Sequence, residues 1–457
     1  MRTGRESPAG LASSVEQPNP TTFVYHLKSA KFSDGRPMTA ADVVFSLGRN
    51  IRDKESWTKS YWEDVASITA RDSSTVVVKL KRPSAIFQGI VAFSGAVIEK
   101  AAAEKMGEKA LGTPGHMLIG TGPWKLDSYT PESKVRLSRN PYWTGPRPPA
   151  EKISVEFFKT EAAMALALRS GAIDGANEYV SPKIFANIPG TRKLSAPGAT
   201  VTLMVANTKR PPFNDVHVRH ALVYATDVKG MINALYPGGD ATEDPTIMPA
   251  SLFANLGSQS EVERTLATLP KYEFNLAKAK QELAKSAYPH GFTTPIEVAQ
   301  VNESGVSSAQ ILASDLAKIG VKANVEELTA GQEVGWLTAK ATLAVVSTGT
   351  AYDDPEGIMS TRIAPGQIYP PGGGQNMANY RNAEVDKLLA ASVETLDAPK
   401  RLQMIGKLLG IVGSETPYWP LNSPLTLGTL SEKYVLPGFS YWTMTWTPWA
   451  LDVKLAS

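Results

Sequence analysis

Residues 294–328, TPIEVAQVNESGVSSAQILASDLAKIGVKANVEEL, decide the fold class of this protein. The runs 294–301 and 321–328 each predict a strand, because apolar residues alternate with polar ones along them. Between them, 307–320 has the apolar spacing of a helix and ends at Gly320, a residue type common just past a helix end. Strand, helix and strand in this order form a βαβ unit. We therefore expect an α/β fold with a parallel or mixed sheet.

The alternation of strands and helices extends beyond this unit. Residues 199–208 predict a strand, and Asp215 is placed to cap the helix that follows. Near the N-terminus, residues 21–28 predict a strand that leads through a turn into another helix. Thr39 is the expected N-cap of that helix, and Asp42 completes a short form of the capping box.

Composition limits the class of protein. The chain has 457 residues, which is too many for one small core and indicates two or three domains. Its 47 basic and 44 acidic residues give a net charge of +3, so charge offers no argument for nucleic-acid binding. The absence of cysteine excludes disulfides, cysteine-ligated zinc and thiol catalysis. The apolar stretch 85–98 is shorter than the roughly 20 residues that a membrane-spanning helix needs.

Short motifs predict neither a catalytic nor a cofactor site. The GTGPW stretch at 120–124 lacks the Lys-Ser/Thr ending of a phosphate-binding loop, so we interpret it as a structural turn. His217 and His220 have a spacing that can serve a metal ion, but a solvated or packed pair is the preferred interpretation. Adjacent side chains such as Asp353 and Asp354 usually point apart, and an Asp-Pro turn explains the second. We expect no cofactor, no metal and no catalytic residue.

Aromatic residues gather near the C-terminus in FSYWTMTWTPW, residues 439–449. Such rings bury large areas, so a role in the core is the simpler interpretation. A cleft lined with rings for a flexible organic ligand is the functional alternative.

Seven segments taken together resemble one family. It is the dipeptide/oligopeptide/nickel-binding class of extracytoplasmic solute-binding proteins of ABC importers, also called solute-binding protein family 5. The resemblance covers roughly residues 11–457. The matching segments, in chain order, are FVYHLKSAKFSDGRPMTAADVVFSL (23–47), GTGPWKL (120–126), RNPYW (139–143), ALRSGAIDGA (167–176), VANTKRPPFNDVHVRHALVYATD (205–227), FNLAKAKQELAKSAYPHGF (274–292) and YRNAEVDKLLAAS (380–392).

The resemblance implies the type II periplasmic-binding-protein fold, with two α/β lobes and an extra subdomain in lobe I. It also implies a mechanism in which the lobes close by a hinge over a solute and the closed form is presented to a membrane permease. The expected divisions are lobe I at 1–205, with the extra subdomain at roughly 30–145, lobe II at 206–424, and a return to lobe I at 425–457.

The resemblance also places candidate site residues. Tyr352 and Asp353 fall on the loop where the family binds ligand. Tyr441 and Trp446 are candidate rings of the cleft. The chain is expected to cross between the lobes at the hinge residues Ala206 and Asn207. The implied partners are a peptide or another small organic solute and the permease subunits, with the protein a monomer that binds no nucleic acid.

This sequence departs from peptide-binding members of the family on the ligand loop. Those members have a Trp-x-x-Asp whose Asp pairs with the amino terminus of the peptide. Aligning the loop on Tyr352 to Pro355 puts Thr348 and Ala351 at these two positions. We therefore expect that the protein does not hold a free peptide N-terminus in the usual way. Opines, oligosaccharides, small cationic metabolites and metal chelates become alternatives to peptides.

The beginning of the chain is a second departure. Family members have a substantial segment before the strand that starts here near Thr22. It carries the export signal, often a lipid-bearing cysteine, the first strands of lobe I and some ligand contacts. We expect an N-terminally truncated version of a protein that is periplasmic, or lipid-anchored on the outer face of the cytoplasmic membrane, when full-length.

Two other classes of protein are alternatives. A hydrolase would use the region of Asp353 and Asp354, although no nucleophile constellation accompanies them. A cytoplasmic ligand sensor would need a DNA-binding module, and none fits before residue 21.

Overall fold

The computed structural model describes residues 10–53, 56, 58–177, 181–329, 332, 341–350, 352–365, 375–446 and 448–456. The chain forms two compact units. Unit 1 consists of Met1–Asn177, Ile184–Leu194 and Gly428–Ser457, and unit 2 of Glu178–Lys183 and Ser195–Leu427. The chain passes between the units at 177/178, 183/184, 194/195 and 427/428.

Unit 1 is built mainly from small sheets and short helices. Four strands form a sheet in the order β1-β2-β4-β3, three form a sheet in the order β5-β6-β7, and three more pair as β8-β16-β9. The strands are β1 (Ala12–Asn19), β2 (Thr22–Leu27), β3 (Val65–Ala70), β4 (Thr75–Leu80), β5 (Trp124–Thr130), β6 (Lys134–Arg139), β7 (Lys152–Glu156), β8 (Gly175–Asn177), β9 (Thr191–Ala196), β16 (Thr426–Ser431), β17 (Tyr434–Val435) and β18 (Lys454–Leu455). The α-helices are α1 (Ala40–Arg52), α2 (Phe87–Ser94), α3 (Lys100–Met106), α4 (Glu161–Arg169) and α14 (Tyr441–Trp446).

The turn and capped helix near the N-terminus form as predicted. The carboxylate of Asp42 accepts hydrogen bonds from the backbone N–H and the hydroxyl of Thr39, at 2.9 and 2.8 Å, so the capping box is complete. The apolar face of the neighbouring sheet packs on aromatic rings. Phe87 contacts Phe23 and Trp62, with ring centroids 5.0 and 5.9 Å apart.

Unit 2 is organised around one six-stranded sheet in the order β11-β15-β10-β14-β12-β13. Its strands are β10 (Thr200–Ala206), β11 (Ala241–Thr242), β12 (Thr293–Ala299), β13 (Lys322–Leu328), β14 (Leu343–Gly349) and β15 (Tyr418–Pro424). The short helix α5 (Pro182–Phe185) spans the boundary at 183/184. The other α-helices are α6 (Val216–Ala225), α7 (Val228–Leu235), α8 (Gln259–Ala267), α9 (Leu276–Ala284), α10 (Glu303–Ala317), α11 (Glu356–Arg362), α12 (Ala383–Glu394) and α13 (Ala398–Glu415).

The βαβ unit predicted from residues 294–328 is confirmed. β12 and β13 pair in parallel from Thr293 opposite Lys322 to Ala299 opposite Leu328. The helix between them begins at Glu303, four residues earlier than 307, because the side chain of Asn302 caps it by accepting from the N–H of Gly305 at 3.0 Å. β14 is parallel to β12 but antiparallel to β10, so the sheet is mixed.

Ala206 and Asn207, the predicted hinge residues, lie at the end of a central strand of unit 2. Both are 1% exposed. The backbone N–H of Ala206 donates to the carbonyl of Pro417, and that of Asn207 donates to Thr342. The side chain of Asn207 donates to the carbonyl of Ala341 at 2.8 Å.

Across the described part of the chain, none of the helices is both long and apolar enough to cross a membrane.

Candidate functional site

The loop between β14 and α11 is the part of unit 2 where the sequence places ligand contacts. Its backbone is shaped by short polar contacts. The hydroxyl of Thr350 donates to the carbonyl of Tyr352 at 2.8 Å, and that carbonyl also accepts from the N–H of Asp354 at 2.8 Å. The carboxylate of Asp354 accepts from the N–H of Glu356 at 3.0 Å and so satisfies one N–H group at the start of α11.

A buried ion pair fixes this loop to α13. Arg401 donates from both terminal nitrogens to the two carboxylate oxygens of Asp354, each at 2.9 Å. The side chains are only 5% and 12% exposed. The third guanidinium nitrogen, Nε, donates to the carbonyl of Ser392 at 2.8 Å. The planar fork of Arg401 therefore ties the loop, α12 and α13 together.

Tyr352 and Glu356 form a second buried pair on the same loop. The phenol of Tyr352 donates to the carboxyl group of Glu356. The two residues are 4% and 5% exposed. Burial raises the pKa of Glu356 to about 7, despite the hydrogen bond from Tyr352, and the charge of Asp354 adds to the rise. The ring of Tyr352, predicted to contact ligand, is thus packed inside unit 2 in this structure.

Asp353 has the opposite environment. It lies between two buried residues but is itself partly exposed. Its carboxylate accepts from the side-chain amide of Asn255 at 3.2 Å, and its carbonyl accepts from the same amide at 3.3 Å. Of the two loop residues predicted to bind ligand, Tyr352 is buried and Asp353 is partly exposed.

Thr348, which stands where peptide-binding relatives are expected to have a Trp, is 5% exposed at the end of β14. Its hydroxyl accepts from Nε of Arg362 at 3.0 Å and from a second nitrogen of the same guanidinium. Arg362 is itself buried, and its carbonyl accepts from the phenol of Tyr418 at 2.6 Å. A small hydroxyl here leaves room for the arginine. Ala351, the other departure, lies outside the described residues.

The two predicted cleft rings lie in unit 1. Tyr441 is the first residue of α14, and Trp446 is its last. The ring of Tyr441 contacts that of Trp442 edge to face, with centroids 5.0 Å apart. For Trp446 the structure describes the backbone only. The structure thus groups Tyr352 with Asp353 on one loop and Tyr441 with Trp446 on one short helix.

Sequence reasoning missed the residues that build the loop, namely Glu356, Arg362 and Arg401. Nothing local marks them, because a charged residue in a helix is ordinarily read as solvent-facing. The sequence offers one usable signal for Glu356. It directly follows Asp354-Pro355, a pair of residues typical of the start of a helix. The carboxylate of Asp354 belongs to the Arg401 pair rather than to a free acidic dyad.

A separate group of side chains in unit 2 could hold a metal ion. In the part of the chain that the structure describes, His217, His220 and Glu282 offer three ligand atoms that all lie within 4.8 Å of one another. The two histidines are on α6 and the glutamate is on α9.

Comparison with known proteins finds a family that matches most of the chain. The model of the family described as "Bacterial extracellular solute-binding proteins, family 5 Middle" matches residues 8–369. The chain is 25% identical to heme-binding protein A of Haemophilus influenzae, over 92% of this chain and 80% of that protein. It is also 25% identical to the glutathione-binding protein GsiB of Escherichia coli strain K12, over 92% of this chain and 82% of that one.

A solved structure shows the same fold. The ABC transporter-associated periplasmic binding protein DppA from Helicobacter pylori, in complex with the peptide STSA, superposes with a TM-score of 0.80. The match covers 98% of this chain and 89% of that chain at 23% sequence identity. The fold class predicted from the sequence, the type II periplasmic-binding-protein fold, is confirmed by this likeness.

Proposed function

Because the chain belongs to family 5 of the bacterial extracellular solute-binding proteins, we propose that it captures a peptide-like or other small organic solute for an ABC importer. The family match over residues 8–369 is the observation that carries this function. We further propose that units 1 and 2 correspond to lobes I and II. Solute bound between the lobes would favour a closed form, which is what the permease would recognise.

The solute class follows from the loop after β14. In the peptide-binding pattern, a Trp and an Asp on this loop hold the peptide amino terminus, and here Thr348 and Ala351 replace them. The hydroxyl of Thr348 accepts a hydrogen bond from the guanidinium of Arg362. Leaving a buried ammonium without its carboxylate is costly. The protein therefore prefers a solute without a free peptide amino terminus at this place, such as a blocked peptide, an opine, an oligosaccharide or a metal chelate.

Within the site, Asp353 is the proposed polar contact to the solute, because its carboxylate is partly exposed and held by a neutral amide. Tyr441 and Trp446 are the proposed rings of lobe I. The buried hydrogen bond from the phenol of Tyr352 to Glu356 fixes the ring of Tyr352 on the ligand loop. Ala206 and Asn207 stay predictions as hinge residues.

The test of the proposed solute class is to restore the anchor. Ala351→Asp should strengthen binding of a short peptide with a free amino terminus, measured by titration calorimetry. The same peptide with an acetylated amino terminus is the matched ligand control and should gain nothing. If the two peptides respond alike to the substitution, this alignment of the loop is wrong.

Location and partners follow from the family. We propose that the full-length protein is periplasmic or lipid-anchored outside the cytoplasmic membrane, acts as a monomer with permease subunits, and catalyses no reaction.

Asp353→Asn and Asp354→Asn would abolish turnover of a bound solute if the protein were a hydrolase. Unchanged solute after long incubation with the wild-type protein supports the binding role.

A further inference from the structure

The contact between α6 and α9 brings two histidines and a carboxylate together on unit 2. We propose that His217, His220 and Glu282 form a Zn²⁺ site that fastens α6 to α9. The site is independent of the proposed solute function, because it uses none of the residues on the loop after β14.

The spacing of the ligand atoms fits a tetrahedral metal. Zn²⁺ binds nitrogen and oxygen at about 2.0–2.2 Å, which separates two ligands by about 3.3 Å. Oε2 of Glu282 lies 2.7 Å from Nδ1 of His217 and 3.8 Å from Nδ1 of His220. These two distances bracket the required value, and all three ligand atoms lie within 4.8 Å of one another.

The hydrogen bonds of His220 show which of its nitrogens is available. Nε2 lies 2.8 Å from the backbone carbonyl of Ser414, which only accepts, so Nε2 carries the proton and donates. The phenol oxygen of Tyr272 lies 3.2 Å from the same nitrogen. Nδ1, the other ring nitrogen, lies 3.8 Å from the carboxylate of Glu282 and is the atom available to a metal. A histidine N–H bonded to a backbone carbonyl is the usual support of a metal ligand, because it fixes the tautomer and the orientation of the ring.

A lysine at the end of the same helix orients the carboxylate of Glu282. The ammonium of Lys285 donates to its Oε1 at 2.6 Å, which leaves Oε2 facing the histidines. The carboxylate is therefore oriented with one oxygen toward both histidines.

The donor set selects the ion. Two imidazoles and one carboxylate suit Zn²⁺ better than Ca²⁺ or Mg²⁺, which prefer oxygen ligands. The side chain of His217 is 41% exposed, so solvent can reach the site and supply the fourth ligand. Because the ligands come from two helices, the ion stabilises the folded form of unit 2 in particular.

The test is a Zn²⁺ titration of the tag-free, metal-stripped protein, with a chromophoric chelator as competitor. One equivalent should bind, and it should raise the melting temperature. His217→Ala and Glu282→Gln should each weaken binding by about tenfold or more, in line with the usual cost of disturbing a metal site. Co²⁺ in place of Zn²⁺ should give the visible absorption of a low-symmetry four-coordinate site, and this absorption should be lost in both variants.

Matched controls separate a site from ordinary histidine binding. His26, whose Nε2 lies 3.0 Å from Oε1 of Glu16, is a single histidine–carboxylate pair, and His26→Ala should leave the Zn²⁺ affinity unchanged. Circular dichroism checks that each variant is folded, and His220→Gln provides a third ligand variant. If the wild-type protein fails to bind one equivalent, or if the folded ligand variants bind as the wild type does, the group is only a protonated His–Glu pair and the proposal is wrong.

Discussion

The ion pair between Arg401 and Asp354 should be the largest single polar contribution to the stability of the candidate site. Arg401→Met removes a guanidinium that makes two 2.9 Å bonds to the carboxylate and one 2.8 Å bond to the carbonyl of Ser392. Both side chains are nearly buried, so the remaining carboxylate is left without its counter-charge. Breaking one partner of such a pair costs about 3–5 kcal/mol. We expect a loss of this size in the free energy of unfolding, measured by urea denaturation.

A double-mutant cycle gives the sharper result. Asp354→Asn removes the charge but keeps an oxygen that can accept from the N–H of Glu356. In the Asp354→Asn background, Arg401→Met should cost much less than it does alone, with a coupling energy of about 2 kcal/mol or more. Arg401→Lys should not restore stability, because an ammonium cannot bond both oxygens in a plane. If Arg401→Met costs less than about 1 kcal/mol, or if the two substitutions are additive, the pair does not hold the loop.

Three further substitutions test α11 and α13, the two helices that flank or hold the loop. The pKa of Glu356 is raised from 4.5 to about 7. Its contribution to the free energy of unfolding is therefore fully present below pH 4.5 and is lost as the pH rises through 7. Glu356→Gln, which can still accept from Tyr352, should remove about 3 kcal/mol of this pH dependence from unfolding curves, and an unchanged slope would contradict the assignment. Gly357→Ala would place a Cβ 2.0 Å from the hydroxyl of Thr350 and should cost about 1–3 kcal/mol in urea denaturation. Gly410→Ala, whose Cβ meets nothing within 4 Å, should stabilise by about 0.4–1 kcal/mol, and the reverse order of the two glycine variants would be incompatible with this packing.

The parts of the fold that depend on local chemistry could be predicted from the sequence. The βαβ unit follows from the alternation and helical spacing of apolar residues in 294–328, and the cap at Thr39 follows from a hydroxyl with a carboxylate three residues later. Apolar spacing alone predicts a start of α10 at 307, which is too late. Asn302 and the polar residues after it do not contribute to that spacing and are therefore assigned to a loop. Local patterns carry no information on which helix face a distant strand or loop will cover.

The candidate site depends on such distant contacts. Arg401 is 47 residues from Asp354, and Glu282 is 65 residues from His217. From the sequence alone, Arg401 is expected to be one of several charges on the exposed face of a helix. The two histidines are expected to be a pair without a third metal ligand. The burial of Tyr352 and Glu356 is likewise a product of tertiary packing. Resemblance to a family located the loop, but only the structure shows which of its side chains are engaged in holding it.

The most direct test of the account is a search for the solute by titration calorimetry and thermal shift. The set should include free and N-acetylated peptides, glutathione, heme, an opine, an oligosaccharide and a nickel–histidine chelate. The account predicts that one class binds with one-to-one stoichiometry and raises the melting temperature, since a ligand that binds the native state stabilises it. It also predicts that Asp353→Asn weakens that binding while leaving the protein folded. A folded protein that binds none of these classes would contradict the central claim.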